Sequence, residues 1–236
     1  MMPMTIATVC ARGGSKGLPG KNIRNFAGRP LIAHTVAQAL ASGVVQAVYV
    51  STDDEAIAEA ARTAGAVVPY MRPAELATDA APKLPVIEHL IQHLEQQTGQ
   101  TVDRIVDLQP TSPLRRPTDI AAAVALSERA GLVLSVSEGA NNPYFSVVEL
   151  APDGRLHLSK GAGAARRQDL PAVYALNGSI YVWRRSALAQ AAQHGLWSVP
   201  SVPYVMPRWQ SVDIDDLDDF ELALWQLGRH REELEW

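Results

Sequence analysis

From Ile6 to Ser137 the chain alternates short β-branched runs with stretches of helical period, and that alternation leaves few architectures open. Ile6–Cys10 reads as a strand, and Leu31–Ser42 as a helix with Leu31, Ile32, Val36 and Leu40 near one face. Ala47–Ser51 reads as a second strand. Asp53 or Asp54 then stands where a helix running to Ala64 needs a cap. The pattern predicts a third strand at Val67–Tyr70, a helix from about Pro85 to Gln97 and a fourth strand at Arg104–Leu108. Pro117 suits the first turn of a helix to Arg129, and Leu132–Ser137 returns to strand. Strands and helices in this order imply an α/β fold, a mostly parallel sheet in a three-layer αβα arrangement. Binding sites in such sheets lie beyond the carboxyl ends of the strands. The loops after Cys10, Ser51, Tyr70 and Leu108 are therefore the ones to inspect.

The rhythm breaks after Ser137. Residues Glu138–Val173 are rich in Gly, Asn, Pro and Arg, with strand character only at Phe145–Leu150 and Arg155–Leu158 around the turn Asp153-Gly154. This reads as an inserted hairpin or arm (138–173) in a single domain spanning 1–236. Ser179–Trp183 and Val202–Met206 resume strand character, and Asp216–Leu227 reads as a helix.

The net charge is −4 and no stretch forms a basic stripe, which argues against a nucleic-acid partner. No run approaches the ~18 consecutive apolar residues of a membrane span. The start Met1-Met2-Pro3-Met4-Thr5 lacks the pattern of a signal peptide. The one cysteine, Cys10, lies in an apolar run and permits no disulfide within the chain. The expectation is a soluble cytoplasmic protein.

The strongest local signal is Ala11-Arg12-Gly13-Gly14-Ser15-Lys16-Gly17-Leu18-Pro19-Gly20-Lys21-Asn22. Glycines let backbone turn tightly and approach a ligand closely. Arg12, Lys16 and Lys21 add three cations, whose crowding an anionic ligand relieves, so backbone N–H groups and cations together suit a triphosphate. The loop is not a P-loop, because Ser15 stands where glycine is needed and Asn22 where Ser or Thr is needed. Nor does it match the dinucleotide fingerprint from either Gly13 or Gly14.

Asp213-Ile214-Asp215 is the second signal. In extended backbone its carboxylates point to one side while Ile214 points inward. Two carboxylates suit Mg²⁺, which takes a few protein oxygens and completes its shell with phosphate and water. Capping of the following helix by Asp215 or Asp216 explains one of these residues but not the pair. Arg72 and Gln109 follow predicted strands, and two prolines fix the direction of the Gln109 loop.

The Ala11–Asn22 stretch resembles the signature of the acylneuraminate cytidylyltransferases and their relatives acting on legionaminic or pseudaminic acid. The resemblance continues through Ser51-Thr52-Asp53, Arg72–Ala77, Leu108–Arg115, Arg167–Pro171, Asn177–Tyr181 and Asp213–Asp215. It implies a nucleotide-diphospho-sugar transferase-like fold. It also implies transfer of CMP from CTP to the anomeric hydroxyl of a nine-carbon acidic sugar, with release of pyrophosphate. On this resemblance the nucleotide is held by Ala11, Arg12, Gly13, Gly14, Ser15, Lys16, Lys21, Asn22, Arg72 and Lys83. The sugar is held by Gln109, Arg167 and Asn177. Asp213 and Asp215 hold Mg²⁺ or another divalent cation, and Arg12, Lys21, Asp213 and Asp215 form the catalytic set. The family match selects Arg167 over the adjacent Arg166 as the planar fork for the sugar carboxylate. A homodimer built through the 138–173 arm is also implied.

Two positions depart from the sialic acid enzymes. Lys83 stands where those enzymes carry a small hydroxyl residue, and Ala175-Leu176 where they carry Arg-Pro. Both favour a related, legionaminic-like sugar. A glycosyltransferase with an Asp-x-Asp metal site, a non-catalytic CTP sensor and a cytidylyltransferase for an eight-carbon acid are the competing readings.

Overall fold

The computed structural model describes residues 4–161, 166 and 169–234. Its centre is a six-stranded sheet in the order β10-β6-β9-β5-β1-β4. The strands are β1 (Thr5–Cys10), β4 (Val48–Ser51), β5 (Arg104–Leu108), β6 (Leu132–Glu138), β9 (Tyr174–Arg184) and β10 (Ser201–Val205). β1 runs parallel to β4 and β5, and β6 runs parallel to β10. Only β9 is reversed, antiparallel to both β5 and β6.

Side-chain alternation along each strand builds two cores. Ala7, Val9, Val106 and Leu108 face one side, against Ile32 and Val36 of α1 (Leu31–Ala41), Ile57 of α2 (Glu55–Thr63) and Ile120 of α4 (Pro117–Leu126). Ile6 and Ile105 face the other, against Leu90 and Ile91 of α3 (Lys83–Thr98) and Leu188 of α5 (Arg185–His194). Burying each such side chain contributes about 1.5–3 kcal/mol, so the central strands are held firmly from both faces. A third core sets α6 (Leu217–Arg229) by Phe220 against Phe26, Leu31 and Ile214. Phe26 belongs to the small hairpin of β2 (Asn25–Phe26) and β3 (Arg29–Pro30), which follows the glycine-rich loop.

The helix starts follow local chemistry. Asp54, not Asp53, caps α2 by accepting from the Ile57 N–H at 3.0 Å. Pro117 opens α4, whose capping box pairs Arg116 with Asp119. Asp216 caps α6, accepting from the Asp219 N–H at 3.0 Å. The Asp215 carboxylate is thereby left free of capping.

Three expectations need correction. Val67–Tyr70 does not form a strand. It makes only isolated bridges, Tyr49 with Val67 and Thr52 with Met71, because Pro69 supplies no N–H to a ladder. Helix α4 ends at Leu126, and residues to Arg129 continue in tighter turns. The third change is an addition, since helix α5 has no counterpart in the pattern read above.

The 138–173 segment carries a hairpin of β7 (Val148–Leu150) and β8 (Leu156–Leu158). Its register pairs Val148 with Leu158 and Leu150 with Leu156. Those four apolar side chains share one face, on which Leu150 is 72% and Leu156 67% exposed. No helix among the described residues is long and apolar enough to cross a membrane.

Candidate active site

A cavity of about 630 Å³ opens beyond the carboxyl ends of β1 and β5. The glycine-rich loop, Arg72, Lys83, Gln109 and Asp215 all contribute to its wall. The loops after Cys10, Tyr70 and Leu108 line it as topology requires, whereas the loop after Ser51 contributes no lining residue.

The loop is packed too closely for side chains at two of its glycines. A Cβ on Gly13 would lie 2.7 Å from the Asp54 carboxylate, and one on Gly17 would collide with the Asp215 carbonyl oxygen. The Gly13 N–H is held by Asp53 at 3.1 Å. The loop is thus moored to the β4–α2 turn at one end and to the Asp215 segment at the other.

The cations have partners in this state. Arg12 donates to the Thr78 carbonyl at 2.9 Å and pairs with Asp79 at 2.9 Å. Lys16 pairs with the other Asp79 oxygen. These cations, Lys16 first, hold the Asp79 carboxyl below its ordinary range. Lys21 is nearly buried and donates to the Ile214 carbonyl at 2.7 Å and to Asp215 at 3.0 Å. The Asn22 amide donates to the Arg12 carbonyl at 3.1 Å. Its Oδ1 is buried with no hydrogen-bond partner among the described residues. An acceptor in that position suits a ligand N–H.

Arg72 fastens two strand ends together. Its Nε donates to Ser51 Oγ at 3.0 Å, and one terminal nitrogen donates to the carbonyls of Ser51 and Ala11. Lys83, at the start of α3, extends its ammonium to 2.7 Å from the Asp107 carboxylate of β5. Burial works to lower the Lys83 pKa, but attraction to Asp107, with lesser help from Cys10 and Tyr181, leaves it raised. Burial, aided by Asp107, pushes the Cys10 thiol up to about 12 and keeps it neutral.

Gln109 and Asp213 meet directly. Gln109 Nε2 donates to Asp213 at 2.8 Å and to Thr111 Oγ1 at 3.0 Å, and the Thr111 hydroxyl donates to Asp213 at 2.5 Å. The fully buried Arg115 fastens this loop from below through the Gln109 and Ser112 carbonyls. Burial, the largest influence, raises the Asp213 carboxyl; bonding to Thr111 opposes it, and repulsion from Asp215 adds to it. Ile214 is buried between the two acids and donates its N–H to the Thr111 carbonyl at 2.9 Å.

Among the described residues no group of three or more His, Cys, Asp or Glu converges. Two mutually repelling carboxylates beside a phosphate-sized cationic loop nonetheless fit a hard divalent cation that draws its remaining oxygens from phosphate and water.

Two expected sugar residues behave differently. Asn177 spends its amide inside the fold, accepting from Ser135 Oγ at 2.6 Å and donating to Ser211 Oγ at 2.9 Å, and it does not line the cavity. Arg167 lies outside the described residues; its neighbour Arg166 pairs with Asp169 at 3.1 Å. The sequence reading missed Asp79, Thr111 and Asp107 as site residues. Asp79 sits in Thr78-Asp79-Ala80, which carries no motif, and the two cations it meets stand more than sixty positions away in the chain.

The cytidylyltransferase family profile matches residues 6–153. The chain is 33% identical over 225 residues to post-translational flagellin modification protein B of Campylobacter coli, covering 94% of each chain. It is 36% identical over 226 residues to the CMP-N,N'-diacetyllegionaminic acid synthase of Legionella pneumophila, covering 92% of this chain and 94% of that one. It is 30% identical over 221 residues to the pseudaminic acid cytidylyltransferase of Campylobacter jejuni, covering 92% and 94%. In fold it is similar to a CMP:2-keto-3-deoxy-manno-octonic acid synthetase solved with CTP, with a TM-score of 0.74 at 17% identity over 96% of this chain and 99% of that one. With the profile spanning well over half of its length and these relatives matching nearly all of it, the chain belongs to the cytidylyltransferase family.

Proposed function

We propose that this enzyme transfers CMP from CTP to the anomeric hydroxyl of a nine-carbon acidic sugar, legionaminic-like, and releases pyrophosphate. The observation that carries this reading is the meeting, at one cavity, of the cationic glycine loop with Asp215 and with Gln109, whose amide in turn binds Asp213. The named substrates of the relatives support the sugar class, and Lys83 and Ala175 support a legionaminic-like member of it.

Arg12, Lys16 and Lys21 receive the triphosphate, and the backbone N–H groups of Gly13, Gly14 and Ser15 add to them once Gly13 leaves Asp53 and Ser15 leaves the Gly13 carbonyl. Asn22 Oδ1 accepts from the cytosine amino group, and Arg72 sets the wall beside the base. Gln109 and Arg167 orient the sugar, and Asn177 fixes the β9 backbone through Ser135 and Ser211. The anomeric oxygen forms its bond to the α-phosphorus as the bond to the β-phosphate oxygen breaks, and the hydroxyl proton passes to solvent. Asp213 and Asp215 are the residues that would hold Mg²⁺, which would supply charge neutralisation for the phosphates and lower the pKa of the attacking hydroxyl. Positioning and charge provide most of the rate in such transfers.

The apolar face of Val148, Leu150, Leu156 and Leu158 supports a homodimer through the arm, because apolar side chains this exposed on one hairpin face gain by being covered. Dependence on CTP and a lone unpaired cysteine favour a cytoplasmic location. Pyrophosphate release with CTP, Mg²⁺ and a panel of neuraminic, ketodeoxynonulosonic, legionaminic and pseudaminic acids tests the reading.

A further inference from the structure

An acidic sugar brings a carboxylate to a cavity whose cations are largely spoken for. Arg12 and Lys16 face the triphosphate loop and hold Asp79. Lys21 is committed to Asp215 and the Ile214 carbonyl. Arg72 spends its Nε and one terminal nitrogen on the ends of β1 and β4. Lys83 is the fifth cation among the described residues of the cavity wall, and its partner is the single carboxylate of Asp107.

Its surroundings differ from those of the other four. Lys83 stands over β5 at Asp107, two positions before Gln109 and on the same strand face. Asp107 is paired across the sheet with Thr8 of β1 and Tyr181 of β9. Tyr181 in turn lies within electrostatic reach of Lys83, Asp107 and Asp213. The ammonium is therefore on the Gln109–Asp213 side of the cavity, toward the strand that bears Asn177. A fully buried carboxylate in the middle of a central strand is costly. Apart from Lys83, its hydrogen-bond partner is the Thr8 hydroxyl at a long 3.4 Å. An ammonium bound to one carboxylate still has two N–H groups to offer.

We infer that Lys83, which the family resemblance assigns to the nucleotide, is instead a specificity-determining residue that binds the carboxylate of the acidic sugar, with Asp107 as the positioning residue that aims it. This rests on the CMP-transfer reading and adds a cation to the expected Arg167. Asp107 also keeps Lys83 charged: with Asp107 neutral, burial alone acts on the ammonium and lowers its pKa. The other titratable groups facing Lys83 are Cys10 of β1 and Tyr181 of β9, both raised and so uncharged near neutral pH.

The test uses full-length enzyme, CTP with Mg²⁺, and N,N'-diacetyllegionaminic acid beside its carboxyl methyl ester. Turnover by the wild type establishes the underlying reading independently. Lys83→Met is expected to raise KM for the acid at least about tenfold, to leave the calorimetric Kd for CTP within about twofold, and to leave the ester unaffected. Lys83→Arg is expected to recover part of the loss. Asp107→Asn is expected to bring an alkaline limb in kcat/KM for the sugar to lower pH than in the wild type, which a purely structural ion pair would not produce. An unchanged KM for the acid in Lys83→Met, or a loss that appears equally in CTP binding, overturns the inference. Should Asp107→Asn fail to fold, the acid-against-ester comparison in Lys83→Met decides alone.

Discussion

The Arg12 guanidinium and the Asp79 carboxylate lie 2.9 Å apart in the wall of the cavity proposed for the nucleotide, and Lys16 closes on the other oxygen of the same carboxylate. The protein's own anion thus sits among the cations that a triphosphate needs. CTP binding has to exchange one anion for another, so removing the Asp79 charge favours the nucleotide. Asp79→Asn is expected to lower the Kd for CTP by about two- to fivefold, since exposed pairs of this kind are weak. The gain should shrink in high salt. Calorimetry at two ionic strengths measures both effects, and weaker CTP binding in the variant would show that Asp79 assists the nucleotide.

Asp213 and Asp215 are expected to act together through the metal. Asp213→Asn or Asp215→Asn should reduce kcat with Mg²⁺ by about 10²–10³-fold, the scale for losing one preorganised electrostatic group. CTP binding measured without divalent ions should hold or tighten, because a negative charge has left the cavity. Stopped-flow pyrophosphate release and metal-free calorimetry separate the two effects.

Gly178 interrupts β9 with a φ of +68°, and a Cβ there would collide with the Gln109 side-chain oxygen. Gly178→Ala therefore carries a left-handed backbone cost of about 1–2 kcal/mol and displaces Gln109 from its bond to Asp213. The expected outcome is a lower Tm and a several-fold higher KM for the sugar, with KM for CTP preserved. Steady-state kinetics with each substrate varied in turn checks this.

The exposed face of the arm leads to a prediction about assembly. Leu150→Asp combined with Leu156→Asp places charges on that face without touching the sheet. Sedimentation at micromolar concentration should show a dimer for the wild type and a monomer for the double variant.

Much of this architecture was legible because it is written in local patterns. Alternating apolar runs marked β1, β4, β5 and β6, and glycines crowded with cations marked the nucleotide loop. What escaped depends on distant partners. Asp107 reads as one polar residue in the apolar run Arg104–Leu108, and only the fold brings Lys83 over it. Asp79 gains its meaning from Arg12 and Lys16. The sequence reading begins a strand at Ser179, whereas β9 starts at Tyr174, directly after the arm, and pairs with both β5 and β6. Asn177 was matched to a sugar role by motif, while its amide is engaged by Ser135 and Ser211.

The most direct test of CMP transfer is product analysis. Purified enzyme is incubated with CTP, Mg²⁺ and N,N'-diacetyllegionaminic acid, and pyrophosphate and nucleotide products are quantified together by enzymatic assay and mass spectrometry. Equal amounts of pyrophosphate and CMP-linked sugar are predicted. Folded enzyme that binds CTP yet forms no CMP conjugate with this or any other nine-carbon acidic sugar in the panel would contradict the account.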